Sequence, residues 1–405
     1  MPPKGQPPAE RKWANWQSAV EAGRLDRAPA PGEAAAVRAM FDSYGKWSAD
    51  HFESVKLLGE GAFGVVHLVR RRGTEELYAL KQMPKARFEK KNQRAFSERD
   101  AMANARSRWC VELFATFQDA VHVYMVTEFI QGGDFIGLLL RRGRLPEEEV
   151  VFYMAELLEA VDTVHKCGFV HRDVKPDNIV ICTSGHLKLL DFGLSKGGHF
   201  AQPAEAQAEA AGRLDGSAAG AGARGRLNSI AGTPQYMAPE GFGGEIGPEG
   251  DIWAFGIITF ESLVGVVPFS NGNVMGSAGI RKIRDKVLNH AEVLEGRLQK
   301  TKQYGWTSDV AERLLRGIIC ERSRRLTASE IRREPFFAGV SWKDLHRMKP
   351  PFVPKVSSRL DTAWFDTIQR EGALPSPEPR VQWDKRMDWA HYDADMEAAS
   401  LAKRP

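Results

Sequence analysis

Cysteine is scarce in this sequence. The 405 residues include four cysteines whose spacing forms no paired pattern: Cys110, Cys167, Cys182 and Cys320. Disulfide frameworks and zinc sites need paired or closely spaced cysteines, so the sequence favours neither of them. We therefore expect the chain to work in a reducing compartment.

Long apolar runs are also missing. The most apolar stretch, IWAFGIITF at residues 252–260, is flanked by Asp251 and Glu261 and is too short to cross a bilayer. The N-terminal sequence MPPKGQPPAERKWANW lacks the apolar segment of a secretory signal peptide. These absences predict no membrane partner and a cytoplasmic or nuclear location.

Charge of one sign is not in large excess. The formal net charge of +4 is too small to predict a nucleic-acid-binding protein. Hydrophobic residues make up 43% and charged residues 27%, which is ordinary for a globular protein. At about 150 residues per domain, the length predicts two or three packed units.

Large apolar residues nearly vanish from AQPAEAQAEAAGRLDGSAAGAGARGR, residues 201–226, where Leu214 is the single exception. Such a segment cannot bury enough surface to offset the entropy of ordering it. We therefore expect residues 199–228 to be a disordered insertion. Whether it inhibits the protein or is a passive spacer stays open.

The remaining pattern changes along the chain. Short strand patterns dominate residues 52–129, with one helix near 92–105, and helices dominate from residue 134 onward. LPEEEVVFYMAELLEAVDTVH is an example, with Pro146 and three glutamates at its start and one apolar stripe. The pattern predicts an α+β protein of a small strand-rich lobe and a large helical lobe, followed by an extended Pro-rich tail at 340–405.

Glycines cluster in GEGAFGVV, residues 59–66, between two strand patterns. Glycines let a backbone turn approach phosphates closely, although a glycine-rich hairpin turn is an equally good interpretation. In YALK, Ala79 and Lys81 share one face of a strand, where the small Ala leaves room for a flat ring and Lys81 can reach phosphates. Glu98, on the following helix, is a plausible partner for Lys81.

HRDVKPDN at residues 171–178 is far more specific. Asp173 is suited to accept a hydroxyl proton, Lys175 to neutralise a phosphoryl group, and Asn178 to bind a metal. DFG at 191–193 adds a carboxylate, Asp191, for magnesium. Phosphoryl transfer needs a phosphate cradle, a fixed Lys, a divalent metal and an aligned base, and here these parts follow one another along the chain.

With GTPQYMAPE at 232–240 and GDIWAFG at 250–256, these motifs resemble those of eukaryotic protein kinases over residues 52–337. The resemblance implies the bilobal kinase fold with ATP and Mg²⁺ as cofactors. It implies that Asp173 is the catalytic base, that Lys175 supports the γ-phosphate, and that Asn178 and Asp191 hold magnesium. The residues that it assigns to ATP are Gly59, Gly61, Ala62, Phe63, Gly64, Val66, Ala79, Lys81 with Glu98, the gatekeeper Thr127 and the hinge residue Glu128.

The resemblance also implies structural roles. Glu240 would pair with Arg325 to hold the helical lobe, and Asp251 would brace the catalytic loop. HRDVKPDN, with Lys175, is similar to the Ser/Thr-specific rather than the Tyr-specific kinases. The runner-up interpretation is a pseudokinase-like scaffold that binds partners without catalysis. Missing catalytic residues would mark such a scaffold, and none is missing here.

Residues 128–178 and the tail FFAGVSW and PPFVPKVSSRLDTAWFD resemble AGC kinases, particularly the NDR/LATS group and its microtubule-associated and Greatwall-like relatives. This implies an N-terminal extension at 1–51 that binds a partner, a kinase domain at 52–337 and an AGC-type tail at 338–405. Phe365 would close over the nucleotide. A Mob-like coactivator is also implied, although the Arg-rich helix that binds it in NDR kinases is not recognisable.

Regulation and substrate choice follow from the same resemblance. Ser229 matches the activation-segment phosphosite of NDR-like kinases, where a phosphate would pair with Arg172. Asp134 and Asp177 match acidic positions that receive arginines N-terminal to the phosphoacceptor, so we expect protein substrates with basic residues there. The alternative interpretation is that Asp134 and Asp177 are ordinary solvated carboxylates. WAHYDAD, 389–395, would dock on the small lobe beside the Glu98 helix.

Overall fold

The computed structural model describes residues 47–61, 64–85, 93–197, 233–245, 247–270 and 276–365. They fall into two compact units. The first holds the described residues up to 85 together with Glu112–Phe129, and the second holds Gln93–Val111 and Ile130–Phe365. Within the described residues, no helix is long and apolar enough to span a membrane.

The first unit is built on an antiparallel sheet of five strands in the order β1-β2-β3-β5-β4. The sequence forms hairpins here because glycines and polar turns separate alternating apolar segments. In the β1–β2 hairpin, Gly61 is the register partner of Gly64. The strands are β1 Phe52–Gly61, β2 Gly64–Arg71, β3 Leu77–Pro84, β4 Leu113–Gln118 and β5 His122–Glu128.

One face of this sheet carries an aromatic core. Trp47 packs on Phe52 with ring centroids 5.3 Å apart, and Phe52 stacks on Phe117 at 6.1 Å. Tyr78 and Leu80 of β3 belong to the same buried cluster. Side chains alternate between the two faces of a strand, so Ala79 and Lys81 lie on the face opposite to this core.

The second unit is mostly helical, with two short antiparallel sheets, β6–β9 and β7–β8. Its helices are α1 Gln93–Asn104, α2 Phe135–Arg142, α3 Glu147–Lys166, α4 Pro248–Val264, α5 Gly276–Leu288, α6 His290–Gln303, α7 Asp309–Ile318 and α8 Ala328–Ile331. Its strands are β6 Phe169–Val170, β7 Ile179–Ile181, β8 Leu187–Leu189 and β9 Lys196–Gly197.

Helix α4 is the centre of the second unit. It is apolar on all sides, and its side chains from Asp251 to Leu263 are buried. An apolar helix without a polar face is stable only when other elements surround it, and α3 and α7 both pack on α4. The approach to α7 is close at Gly256, where a Cβ atom would lie 2.5 Å from Ile318 Cγ2.

The predicted α+β class is confirmed, with the strand-rich part preceding the helical part. The helix predicted near 92–105 is α1, and α3 begins at Glu147, directly after Pro146. The predictions for residues 1–46, for the 199–228 insertion and for residues 366–405 concern segments outside the described residues.

We expect Gly256→Ala to lower the melting temperature by about 3–8 °C, because the added methyl group must displace packed side chains of α7. Gly296→Ala in α6 is the matched control, since nothing lies within 4 Å of its Cβ position. The control should stay within about 2 °C of the parent or melt higher, as Ala favours helices. Thermal unfolding of both variants measures this, and equal melting temperatures would contradict the close packing of α4.

Candidate active site

The loop that follows β6 is anchored by one buried carboxylate. Asp251, on the first turn of α4, is 2% exposed. Its Oδ2 accepts the backbone N–H of His171 and its Oδ1 accepts that of Arg172, each at 2.8 Å. His165 Nε2 lies 2.8 Å from Oδ2 as well. Two consecutive N–H groups are thereby fixed to the buried helix.

This anchoring holds a backbone conformation that side-chain-bearing residues rarely adopt. Arg172 has a φ of 72°, in the left-handed region. Burial by itself would raise the pKa of the Asp251 carboxyl. The bond from His165, the nearby His171 ring and the Arg172 N–H outweigh burial and hold that pKa below its usual value. Asp251 is therefore ionised at neutral pH, and the predicted bracing of this loop has a physical basis.

Asp173, next in the loop, is held from several sides. Asn178 Nδ2 donates to the Asp173 carbonyl at 2.8 Å and to Oδ2 at 3.1 Å. Thr233, where the described chain resumes at 233, donates its N–H and its hydroxyl to Oδ1, each at 3.2 Å. Lys175 Nζ lies 2.9 Å from Oδ2 and 3.0 Å from the Thr233 hydroxyl. The carboxylate is thus oriented and only 12% exposed.

The DFG segment lies beside this loop. Leu190 donates its N–H to the Asn178 carbonyl at 2.9 Å, and Asp191 has a φ of 61°. Asp191 Oδ1 accepts the Gly193 N–H at 3.1 Å. A Cβ atom on Gly193 would lie 3.0 Å from that oxygen and 3.3 Å from Glu98 Oε2. The glycine therefore lets the buried Glu98 carboxylate approach the DFG backbone.

The two predicted metal ligands offer suitable atoms. The Asn178 amide nitrogen donates to Asp173, which leaves its amide oxygen as the atom able to bind a cation. Asp191 supplies carboxylate oxygens from the adjacent strand end. Mg²⁺ prefers oxygen ligands and is commonly held by one or two protein groups together with phosphates. The residues present fit this ion.

Glu261 is a buried acid that no sequence motif marked, and it lies near Asp177. Tyr236 donates its hydroxyl to Glu261 Oε2 at 2.8 Å. The pKa of Glu261 is raised to about 7: burial is the main cause, the bond from Tyr236 partly opposes it, and the nearby Asp177 charge adds to it. The sequence did offer a signal for this residue: a glutamate at the end of an otherwise apolar helix. Glutamate is rarely buried unless it has a partner, so its position there suggests a specific role.

The other predicted acids occupy different settings. Asp177 is exposed in the short 3-10 helix Pro176–Asn178, against which α2 packs. Asp134 caps the N-terminus of α2, and its Oδ1 accepts the Gly137 N–H at 2.8 Å. Asp134 therefore caps a helix, a role that the sequence motifs did not indicate.

Glu240 and the buried Arg325 form an ion pair in which the guanidinium bonds both carboxylate oxygens. Arg325 also donates to the carbonyl groups of Glu249 at 2.8 Å and Cys320 at 3.0 Å. Its guanidinium lies 5.0 Å from the centroid of the Trp253 ring. These bonds tie the segment around residue 240 to α4 and to the segment after α7, which is the arrangement predicted for this pair.

The first unit holds most residues predicted to contact ATP. Gly64 allows a close strand approach, because a Cβ atom there would lie 2.1 Å from the Gln82 carbonyl oxygen. Thr127 donates its hydroxyl to the Ala79 carbonyl at 3.4 Å. Glu128 Oε1 accepts the Glu112 N–H at 2.8 Å, so this side chain bonds the residue that precedes β4. The register partners that place the others are Gly59 with Val66, Val66 with Lys81, and Ala79 with Thr127.

The tail up to Phe365 packs on the second unit. Gln131 Nε2 donates to the carbonyl groups of Ser358 at 2.8 Å and Asp361 at 3.2 Å. The Arg141 guanidinium lies 4.5 Å from the Trp364 ring centroid. Phe365 donates its N–H to the Thr362 carbonyl at 3.0 Å. These contacts fix the chain immediately before Phe365.

The structure thus brings Asp173, Lys175, Asn178 and Asp191 together with Glu98 in the second unit. Lys81 lies in the first unit, so its pairing with Glu98 stays a prediction. Ala62, Phe63, Ser229 and the WAHYDAD segment lie outside the described residues.

Comparisons with known proteins agree with this geometry. Residues 52–337 match the protein kinase domain family. The serine/threonine-protein kinase CBK1 of Candida glabrata is 35% identical over 372 residues, which cover 82% of this chain and 47% of that protein. The serine/threonine-protein kinase cot-1 of Neurospora crassa is 36% identical over 349 residues, covering 78% of this chain and 56% of that protein.

The serine/threonine-protein kinase ppk35 of Schizosaccharomyces pombe is 33% identical over 356 residues, covering 81% of this chain and 56% of that protein. The chain spans about half the length of the CBK1 relatives from Candida glabrata and Saccharomyces cerevisiae. The expected likeness to NDR/LATS-type Ser/Thr kinases is confirmed by these matches. The chain belongs to the protein kinase family.

Proposed function

We propose that the chain transfers the γ-phosphoryl group of ATP to Ser or Thr hydroxyls of protein substrates. One observation carries this proposal: the Asp173 carboxylate is oriented by Asn178 and Thr233 and lies 2.9 Å from the Lys175 ammonium group. A base held in one orientation beside a cation suits in-line transfer to a hydroxyl, where positioning and charge stabilisation supply most of the catalysis.

In this mechanism Asp173 accepts the proton of the substrate hydroxyl as the new bond to phosphorus forms. Thr233 and Asn178 keep the carboxylate aligned and leave it no freedom to rotate away. Lys175 stabilises negative charge on the transferred group. Asp251 acts indirectly, because it holds the backbone of the two residues before Asp173.

The residues assigned to ATP are those that the family resemblance implies. In the first unit, the glycine hairpin from Gly59 to Gly64 and Val66 would contact ATP, with Lys81 on its α- and β-phosphates. Thr127 and Glu128 would lie at the adenine end. Asn178 and Asp191 would hold Mg²⁺, which neutralises phosphate charge when bound. Glu98 would pair with Lys81, and Phe365 would cover the nucleotide.

Substrates with arginines N-terminal to the phosphoacceptor fit the acids of the second unit. Asp177 is close enough to Glu261 to raise its pKa, and α2 with Asp134 packs on the turn that carries Asp177. A carboxylate cluster favours guanidinium groups through charge-assisted hydrogen bonds. We assign the arginine preference to these three acids.

Regulation is proposed at Ser229, where a phosphate would pair with Arg172 and order the activation segment. Arg172 is suited to this role because its backbone is fixed by Asp251, next to the catalytic base. A Mob-like coactivator and a cytoplasmic or nuclear location complete the proposal on the strength of the family resemblance.

Asp173→Asn should lower turnover by more than 10³-fold and leave ATP binding intact, since an amide cannot accept the proton. Turnover of a Ser peptide and fluorescence titration with a nucleotide analogue measure the two properties. Asp309→Asn, an exposed carboxylate on α7, is the matched control and should change neither. Turnover of Asp173→Asn within tenfold of the parent would refute the assigned base.

The double variant Asp134→Ser with Asp177→Asn should raise the KM of a Ser peptide with N-terminal arginines by about tenfold or more. Serine keeps the N-cap of α2, so the variant removes charge without removing the cap. The same peptide with Gln in place of Arg is the control, and its KM should not change. An unchanged preference for the Arg peptide would show that other groups recognise the arginines.

Acidification should weaken the arginine preference, because a carboxyl with a pKa of about 7 loses its charge as the pH falls. Between pH 8 and pH 6 the ionised fraction of Glu261 falls from about nine-tenths to about one-tenth. The ratio of kcat/KM for the Arg peptide to that for the Gln peptide should fall about fivefold over this range.

Taking this ratio cancels titration of the catalytic base, which affects both peptides. In Glu261→Gln the ratio should be low and should no longer depend on pH. If the variant kept the pH dependence of the parent, Glu261 would not be the titrating group.

A further inference from the structure

Helices α5 and α6 concentrate the positive charge of the chain. Residues 276–303 contain seven Lys or Arg and three Asp or Glu, an excess of +4. This excess equals the formal net charge of the whole chain, so the remaining residues sum to zero. The mild net charge therefore hides a local cationic region.

Two of the three acids in this region have other partners, and the third, Asp285, lies outside ion-pair distance of the cations of the described residues. Glu295 pairs with Arg316 of α7 at 3.0 Å, and Glu292 accepts a hydrogen bond from Asn289. Lys302 is paired with Asp309 at 2.6 Å. No carboxylate of the described residues lies within ion-pair distance of the other cations: Arg281, Lys282, Arg284, Lys286, Arg297 and Lys300.

Three of these cations lie close to one another. Lys282 and Lys286 are one turn apart on α5, where Ile283 and Val287 form the buried side. Lys286 donates to the Ser270 carbonyl, which limits its movement. Partial burial lowers the pKa of Lys286, and the charges of Arg297 and Lys282 lower it further. We call Lys282, Lys286 and Arg297 the cationic face.

Ordinary solvated surfaces intersperse both signs of charge, because like charges side by side repel. The cationic face departs from this pattern within the described residues. Leu288, at the end of α5, is 51% exposed and lies one helical turn after Arg284, another of the cations without a carboxylate partner. An exposed apolar residue next to unpaired like charges is a composition that a bound anionic protein segment would stabilise.

The position of α5 connects this face to substrate recognition. Helix α5 packs on the short 3-10 helices Pro234–Tyr236 and Pro239–Gly243. Tyr236, in the first of these, bonds Glu261, one of the acids assigned to substrate arginines. A substrate bound at those acids is therefore adjacent to the segment that supports α5.

We propose that the cationic face docks an acidic, carboxylate-rich segment of the protein substrate that is separate from the phosphorylated sequence. The proposal rests on the proposed kinase function and extends it: basic residues near the phosphoacceptor bind the acids of the site, and acidic residues elsewhere in the substrate bind α5 and α6. Opposite charge would also accelerate encounter, and this contribution is sensitive to salt.

Three synthetic peptides test the docking. The parent peptide has a Ser preceded by arginines. The extended peptide adds a C-terminal Gly/Ser linker of about 20 residues, which spans about 25 Å on average, followed by six glutamates. A third peptide, with glutamines in place of the glutamates, controls for length. We expect the glutamate extension alone to raise kcat/KM at least fivefold at about 50 mM salt, and most of this gain to be lost at about 300 mM.

The double variant Lys282→Glu with Arg297→Glu should abolish the gain while leaving kcat/KM for the parent peptide within twofold. The matched control is Lys343→Glu with Arg359→Glu, which reverses the same two residue types at exposed positions in the chain after α8. The control should keep the gain. Thermal unfolding checks that both double variants fold, and Lys282→Gln alone, as a milder change, should lose part of the gain.

A binding measurement separates this proposal from the kinase function itself. The double variant Lys282→Glu with Arg297→Glu is called the α5–α6 variant. Fluorescence anisotropy of the labelled glutamate segment, without any Ser, should show salt-sensitive binding to the parent protein and at least fivefold weaker binding to the α5–α6 variant. Absence of phosphorylation of the parent peptide would refute the proposed function without touching this result. No gain from glutamates, together with equal binding by both proteins, would overturn the docking proposal.

Competition identifies the class of partner. Single-stranded RNA and vesicles containing phosphatidylserine are the two probes. One outcome would show that the cationic face binds another polyanion and that the proposal is wrong. In that outcome the parent protein binds either probe, the α5–α6 variant does not, and the glutamate extension does not raise kcat/KM. A glutamate gain that neither probe competes away at about 150 mM salt supports it.

Discussion

The two N–H···O bonds to Asp251 are the constraint on which the candidate active site depends. One carboxylate at the start of a buried helix fixes two successive backbone groups, His171 and Arg172, at 2.8 Å each. The carboxylate also lies in the first turn of α4, where the helix dipole favours negative charge. Because Arg172 is held at a positive φ, the chain turns so that Asp173 faces Asn178 and Thr233.

The same helix organises the other buried polar groups of the second unit. Glu261 accepts the Tyr236 hydroxyl near the end of α4, and Arg325 bonds the Glu249 carbonyl at its beginning. An unpaired buried charge would cost several kcal/mol, whereas a paired and hydrogen-bonded one specifies a single arrangement. The apolar surface of α4 therefore supplies the packing, and its few acids determine where the surrounding loops lie.

Charge is divided within this unit. Acids surround the turn at Asp177 and the end of α4, while cations collect on α5 and α6. The net charge of +4 equals the excess on α5 and α6, but the number alone does not show where along the chain that charge lies. In the proposed function, substrate selection would therefore depend on how charge is distributed along the substrate as well as on its total charge.

The sequence by itself determined the order of strands and helices, the α+β class and the protein kinase family. These are local properties: HRDVKPDN and DFG are contiguous, and residues a few positions apart are brought together by the geometry of one turn. The run from Ile252 to Phe260 likewise predicted a buried helix, since no charged residue interrupts it.

Only the tertiary structure decided which distant groups meet. The Glu261 pKa depends on burial and on Asp177, 84 positions earlier in the chain, and no spacing rule relates the two. The Asp134 cap, the close approach of Gly256 to α7 and the cationic face of α5 and α6 depend in the same way on packing between elements. Solvent exclusion and charge proximity arise when the chain is folded, so a linear pattern does not contain them.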